Sequence, residues 1–333
     1  MATKYGDISQ RTAVWAERKM LEHAQPILVL EKFADAKPLP RNTAETVTFR
    51  RPVPYQVNTT QLVEGVTPVP KTMEYEDVSV TIGQYGAVMT LTDRVADLCE
   101  DPVLSDMSML AGEQAAETKE LILWGAIRGG TNVAYSGTGT PTTRADVNNV
   151  LTLALQRSAI RSLKEQRSRP HTKMVSSSQM FATEAVAPAF IGFSHTNVEA
   201  DLRDMDGFTP VERYGNFQPI SDYEIGKVEN VRYILSPVLA PWTGEGSGTT
   251  NGMENDGANV NVYPVIICGK NSYGAVALKG PGSMSPHVIN PDQRTKSDPL
   301  GQRGHVAWKM YFAALILNQA WIQRIEVGVT DLA

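Results

Sequence analysis

Apolar and polar residues alternate cleanly in two places in the first third of the chain. At Thr46-Val47-Thr48-Phe49-Arg50, Val47 and Phe49 share one face, and Val78-Ser79-Val80-Thr81-Ile82 repeats the pattern. Both read as strands with one apolar side. The connection between them holds Pro52, Pro54, Gly65, Pro68 and Pro70 and has no helical period. So long a connection is uncommon inside a compact domain and is usually functional or disordered. Two strands with such an extension predict a hairpin that projects from the body. An isolated ribbon is marginal in water, so a projecting one needs a surface to lie on.

Helical spacing appears elsewhere. Residues 9–30 carry Val14, Leu21 and Leu28 among charged neighbours, with an interruption at Pro26, and Lys37-Pro38-Leu39-Pro40 ends the segment. A short helical stretch follows Thr92-Asp93. Asp101-Pro102 then supplies an N-cap and a first-turn proline for the longest predicted helix, which runs to Ile127 and is closed by Gly129-Gly130. Its inward positions are Leu104, Met107, Ala111, Ala115, Thr118, Leu121 and Ile122; Glu113, Glu117, Lys119 and Glu120 point outward. The Gly/Thr/Ser-rich residues 129–143 form a loop and a domain boundary.

The middle of the chain is mixed. A helix over 153–166 is amphipathic through Leu155, Ala159 and Leu163, Lys173-Met174-Val175-Ser176 suggests a strand, and helical segments continue to about Arg203. Residues 224–235 are strand-like in their second half, and residues 244–259, rich in Gly, Asn and Thr, read as a flexible insertion. Tyr263 to Cys268 and Ala275 to Leu278 are buried-strand runs. From His305 to Val329, two strands around the break Asn318-Gln319 fit better than one helix. Trp321, Gln323, Ile325 and Val327 face one way, and Ile322, Arg324 and Glu326 the other. Elements in this order make an α+β chain.

Composition narrows the function more than it identifies it. The 333 residues are 42% hydrophobic and 20% charged, with a formal net charge of −5. A chain of this length buries a sizeable core, and it lacks the basic excess of sequence-specific nucleic-acid binding. Cys99 and Cys268 have no metal-ligand spacing, the N-terminus lacks an apolar signal core, and the apolar run from Met310 to Ile322 is too short to span a bilayer. The expectation is a soluble protein made in a cytoplasm, with no membrane partner.

Catalytic patterns are scarce. His23, His171, His195, His287 and His305 are scattered without metal-binding spacing. Residues 244–250 and Ser136-Gly137-Thr138-Gly139 superficially resemble phosphate loops but lack the lysine or the strand–helix setting. Ser176-Ser177-Ser178 has no adjacent base, and Asp201-Leu202-Arg203-Asp204-Met205-Asp206 lacks the placement of a calcium loop and reads as a solvated turn. No enzyme, cofactor or metal is expected. Arg50 and Arg51 at the start of the hairpin, with Arg41 nearby, serve either to hold phosphate or a neighbour's carboxylates, or only to block unwanted edge pairing. The subunit-contact reading is preferred because the ribbon needs a surface. Arg50, Arg51, Tyr55, Glu64 and Lys71 are the candidate contact residues.

This order of elements resembles the major capsid protein fold of tailed bacteriophages. Local motifs carry a more specific likeness to one phage capsid family within it. They are Ser297-Asp298-Pro299-Leu300-Gly301-Gln302-Arg303-Gly304 with Val306-Ala307-Trp308-Lys309, continuing through Ala313-Ala314-Leu315-Ile316-Leu317-Asn318 and Trp321 to Arg324-Ile325-Glu326. Glu224-Ile225-Gly226 with Val228 and Asn230-Val231-Arg232, and Tyr273-Gly274 leading to Leu278-Lys279-Gly280, are further matches. Residues 190–214 and 244–259 match poorly. The resemblance implies an N-terminal helical arm over 1–45 and an extended hairpin loop over 46–85. It also implies a peripheral domain with a long spine helix and terminal strands over 86–143 and 281–333, and an axial domain over 144–280. It implies hexamers and pentamers of the chain itself in an icosahedral shell around double-stranded DNA contacted without sequence preference. Portal, scaffolding or decoration proteins are the further partners, and the protein resides in the virion after assembly in the bacterial host cytoplasm. The rival readings are an encapsulin-type nanocompartment shell and, more distantly, a metal-dependent hydrolase built on residues 201–206.

Overall fold

The computed structural model describes residues 28–62, 64–65, 67, 70–98, 103–171, 188–214, 219–248, 252–279, 284–289, 291 and 298–332. Most of the N-terminal helix expected over residues 9–30, up to residue 27, the Asp101-Pro102 cap and the strand expected at 173–176 lie outside the described residues. The first described elements are a 3-10 turn, Leu30–Phe33, and a short strand β1 (Asp35–Ala36). Next come β2 (Thr46–Pro52), β3 (Tyr75–Thr81), β4 (Gly83–Thr92), α1 (Asp93–Leu98) and the long α2 (Val103–Arg128). They are followed by β5 (Val133–Tyr135), α3 (Leu153–Glu165), β6 (Phe190–Ser194), α4 (Glu199–Arg203) and β7 (Phe208–Pro210). The last elements are β8 (Glu224–Val228), β9 (Val231–Leu235), β10 (Tyr263–Cys268), β11 (Tyr273–Ala277), β12 (Met284–Ile289), β13 (Arg303–Ile316) and β14 (Ile322–Val327).

Two larger sheets and the β2–β3 ribbon organise these strands. The five-stranded sheet is ordered β1-β11-β13-β12, with β4 also pairing along β13. The seven-stranded sheet is ordered β5-β14-β10-β6-β9-β8-β7. The C-terminal strands therefore part company: β13 organises one sheet and β14 enters the other, joined by a 3-10 turn at Gln319–Trp321. The sequence expectation of two strands around the Asn318-Gln319 break is met.

Helices cover the sheets in a way that follows from strand alternation. Val306, Trp308 and Met310 on β13 pack against Ala111 and Ala115 of α2. Ala313 and Leu315, of opposite parity, face the other side and hold Val47, Phe49, Val78 and Val80 of the β2–β3 ribbon. The five-stranded sheet thus carries α2 on one face and the root of the hairpin on the other. In the seven-stranded sheet, Ile325, Val327, Tyr233 and Val265 meet α3 through Ala159, Ile160 and Leu163. Ile322, Ile266, Phe193 and Ile234 face the opposite way, toward Leu123, Trp124 and Ile127 of α2. Being covered on both faces, β14 is buried along its whole length even though its sequence alternates.

Three local expectations differ from what is observed. β4 was not visible in sequence, because Gly83 and Gly86 interrupt its apolar alternation. Gly86 is required there: a Cβ at this position would lie 2.7 Å from the Trp308 carbonyl oxygen. Second, the expected inward face of α2 holds at Ala111 and Ala115 but not in the following turns, where Leu121 is exposed and Glu120 fully buried. The seam that faces the protein runs through Ala116, Glu120, Leu123 and Ile127, an i, i+3/i+4 series that includes a carboxylate. Third, residues 244–259 are bonded into the fold where they are described. Gly246 N donates to Val260 O at 2.9 Å, Ser247 N to Val147 O at 3.0 Å, and Asn259 Nδ2 to Gly244 O at 3.1 Å.

Candidate assembly surface

Seven antiparallel pairs set the ribbon register, from Thr46 opposite Thr81 to Pro52 opposite Tyr75. That register puts Arg50 opposite Asp77 and Arg51 opposite Glu76, on alternate faces. Arg50 Nε and Nη2 donate to the two Asp77 carboxylate oxygens at 2.7 and 2.8 Å, and its guanidinium lies 5.5 Å from the Tyr75 ring centre. The hydrogen bonds from Arg50 hold the Asp77 carboxyl below its usual range. Arg51 Nε donates to Glu76 at 2.8 Å. Both arginines therefore already hold carboxylates of their own hairpin. These pairs are solvated and screened, so they fix register more than they add stability.

At the inner end Lys37 Nζ donates to Thr48 O at 2.7 Å and sits 5.1 Å from the Phe49 ring centre, tying the segment after β1 to the ribbon. At the outer end Val53 N donates to Glu74 O, and pairing then stops. Beyond that point Val57 and Leu62 are 77% and 76% exposed, and Tyr55 and Met73 are also exposed, as is Tyr75 on the last rung. Lys71 Nζ reaches across to Gln56 O at 3.0 Å. Glu64 lies exposed in a turn with Gly65, whose φ of +79° suits glycine. The five candidate residues are thus brought onto one ribbon: Arg50 and Arg51 near its root, Tyr55 and Lys71 midway, Glu64 at the turn. What they share is a strip of uncovered apolar side chains between polar ones, which is the composition of a contact surface.

Near the ribbon root a groove of about 740 Å³ opens between residues 39–45 and the five-stranded sheet, lined by Arg41, Asn42, Glu45, Gln84, Lys309 and Tyr311. It mixes charges and hydroxyl or amide groups without a nucleophile–base pair.

The groups considered for chemistry are placed elsewhere. Asp201 is buried and accepts from Thr330 N at 3.0 Å and Thr330 Oγ1 at 2.6 Å, while Arg203 pairs with Glu199. No cluster of three or more His, Cys, Asp or Glu among the described residues is arranged to hold a metal. Burial pushes the Cys268 thiol up to about 12. Among the described residues, no helix is long and apolar enough to cross a membrane.

Two polar constellations escaped the sequence reading. One centres on Glu326, which is fully buried: Arg144 Nε donates to it at 2.7 Å and Arg324 Nε lies 2.9 Å away. The guanidiniums of Arg128, Arg144 and Arg324 gather around the Trp242 ring at 4.8, 3.6 and 5.5 Å, and Arg144 also pairs with Glu245. This cluster fastens the 244–259 segment to the seven-stranded sheet. The Arg324/Glu326 parity was its only sequence trace. The second is Glu120, which accepts backbone N–H groups from Val29 and Leu30.

Comparison with known proteins agrees with this architecture. Residues 75–325 match the model of a family described as phage capsid protein. The major capsid protein of Pseudomonas phage KPP21 is 23% identical over 262 residues, which cover 73% of this chain and 65% of that protein. This chain therefore spans a little under two thirds of that relative's length. Among solved structures, the capsid of Ralstonia phage GP4 superposes with a TM-score of 0.67 at 12% identity, covering 90% of this chain and 88% of that one. The capsid of cyanophage P-SCSP1u gives 0.60 at 11% identity with the same coverage. The SrpI encapsulin of Synechococcus elongatus PCC 7942 gives 0.50 at 14% identity, covering 91% and 89%. At these identities the structures show a common fold.

Proposed function

The chain belongs to the phage capsid protein family, and we propose that it is the major structural subunit of an icosahedral capsid. Copies of it assemble into hexamers and pentamers that enclose double-stranded DNA. The observation that carries this reading is the β2–β3 ribbon, a well-registered stem bearing an apolar extension left uncovered among the described residues. A second copy of the subunit supplies that surface. Arg50, Arg51, Tyr55, Glu64 and Lys71 are its contact residues. Residues 1–45 act as an arm, 46–85 as the extended loop, 86–143 with 281–333 as a peripheral domain and 144–280 as an axial domain. Portal, scaffolding or decoration proteins meet the assembled shell, which forms in the bacterial host cytoplasm. The encapsulin shell shares the fold, but the family match favours the phage capsid.

Negative-stain microscopy of the expressed chain tests this reading. Closed shells, or rings of five and six, are the expected result; a monomer that persists at high concentration would sink it. Shell diameter separates a phage capsid from a nanocompartment.

Contact with DNA is assigned to the exposed face of α3 and the turn after it. Residues 157–169 carry Arg157, Arg161, Lys164, Arg167 and Arg169 against the single acid Glu165, in a chain of net charge −5. All five cations are exposed, and only Arg157 has an ion-pair partner among the described residues, Glu229. A few phosphate contacts of this kind bind weakly and without sequence preference. Replacing Arg161, Lys164 and Arg167 with Gln should lessen the slope of log affinity against log salt for duplex DNA by about 3. An unchanged slope would move the DNA contact elsewhere.

A further inference from the structure

Glu120 lies at the middle of α2 with no solvent exposure. Its Oε1 accepts from Val29 N at 3.2 Å and Leu30 N at 2.8 Å, at the start of the Leu30–Phe33 turn. Its Oε2, equally buried, has no hydrogen-bond partner among the described residues. The same short segment is gripped twice more. Tyr273 Oη donates to Leu30 O at 2.7 Å, and Lys119 Nζ pairs with Glu31 at 2.6 Å. Three contacts thus hold the chain to α2 and β11 where residues 1–27 join the described fold, and one of them is a carboxyl group with an unsatisfied oxygen.

An ionised carboxylate here keeps two N–H donors on one oxygen and leaves the other buried and bare. A neutral acid keeps both N–H bonds through its carbonyl oxygen without burying a charge. Hydrating the ionised form requires residues 28–34 to lift away. We propose that Glu120 is a protonation-controlled clasp for the base of the N-terminal arm, tightest when the acid is neutral and loosened when it ionises.

The charged and titratable groups facing it are Lys119 on α2, Glu31 on the clasped turn and Tyr273 on β11, which in turn neighbours Cys268 on β10. Burial, the largest effect on Glu120, pushes its carboxyl up from 4.5 to about 7; the two backbone donors and Lys119 oppose this, and Glu31 adds to it. Burial holds Tyr273 and Cys268 neutral throughout this range. The raised value fixes the sign. Between pH 4.5 and 7 the closed state binds more proton than the open one, so closure weakens as pH rises and levels off above about 7.

Amide hydrogen exchange on the full-length chain, corrected for intrinsic rates, tests the clasp without reference to assembly. Protection of residues 28–34 should fall on the order of 100-fold from pH 4.5 to 7 and then stay level. Glu120→Gln, which keeps the acceptor and removes the titration, should be flat and protected. Glu120→Met, which fills the space without an acceptor, should be flat and poorly protected. A flat profile in the unsubstituted chain, or an unchanged slope in Glu120→Gln, would overturn the proposal.

Discussion

Replacing residues 54–73 with Asn-Gly should give a subunit that folds and melts like the full chain but forms no shells. Val53 N pairs with Glu74 O, so a two-residue turn joins the strands in their existing register. Val47, Phe49, Val78 and Val80 keep their packing against Ala313 and Leu315, and Arg50 and Arg51 keep Asp77 and Glu76. What is removed includes Tyr55, Val57 and Leu62, whose side chains are exposed and belong to none of the core clusters among the described residues. Circular dichroism and sedimentation together give the answer. Unfolding of the shortened chain would make the segment core rather than contact surface, and intact shells would remove it from assembly.

Trp124→Ala should cost about 3–5 kcal/mol, the range for truncating a large buried aromatic. Trp124 is 1% exposed and donates from Nε1 to Ala240 O at 3.1 Å. Its cluster draws Ile191, Phe193, Ile234, Ile266 and Ile322 from the seven-stranded sheet and Tyr273, Ala275 and Phe312 from the five-stranded one. The side chain therefore fills the joint between the sheets. Three residues earlier on the same helix, exposed Leu121 should tolerate the same change at a cost below about 1 kcal/mol. Urea unfolding of both variants separates the cases, and equal midpoints would contradict the packing described for α2.

Which elements were legible in the sequence follows from how local their causes are. β2, β3, β10, β11 and the β13–β14 pair declare themselves by alternation or by short apolar runs, and α2 by its length and its closing glycines. β4 does not, because its strand state comes from ten pairings with β13 rather than from its own glycine-interrupted pattern. Glu120 was assigned outward because carboxylates in a helix usually are. Its donors, Val29 and Leu30, stand some 90 positions away in sequence and carry no side-chain signature. The arginines of the hairpin were found by type and position, but their partners needed the register that places Asp77 and Glu76 opposite them. Low apolar content made residues 244–259 look loose, although backbone hydrogen bonds and the Arg144–Glu245 pair hold them.

The Arg50 and Arg51 pairs acquire a different weight when the ribbon is treated as a pointer. Fully extended, residues 53–64 reach about 40 Å beyond the last paired rung. Over that length a swing of about 5° at the root carries the turn about 3–4 Å sideways, roughly one residue's rise along a strand. Contacts that contribute little to unfolding free energy can therefore govern aiming error. The cross-strand pairs, the Lys37 brace on Phe49 and the seat on Ala313 and Leu315 all act at the pivot, where angular stiffness has the greatest leverage.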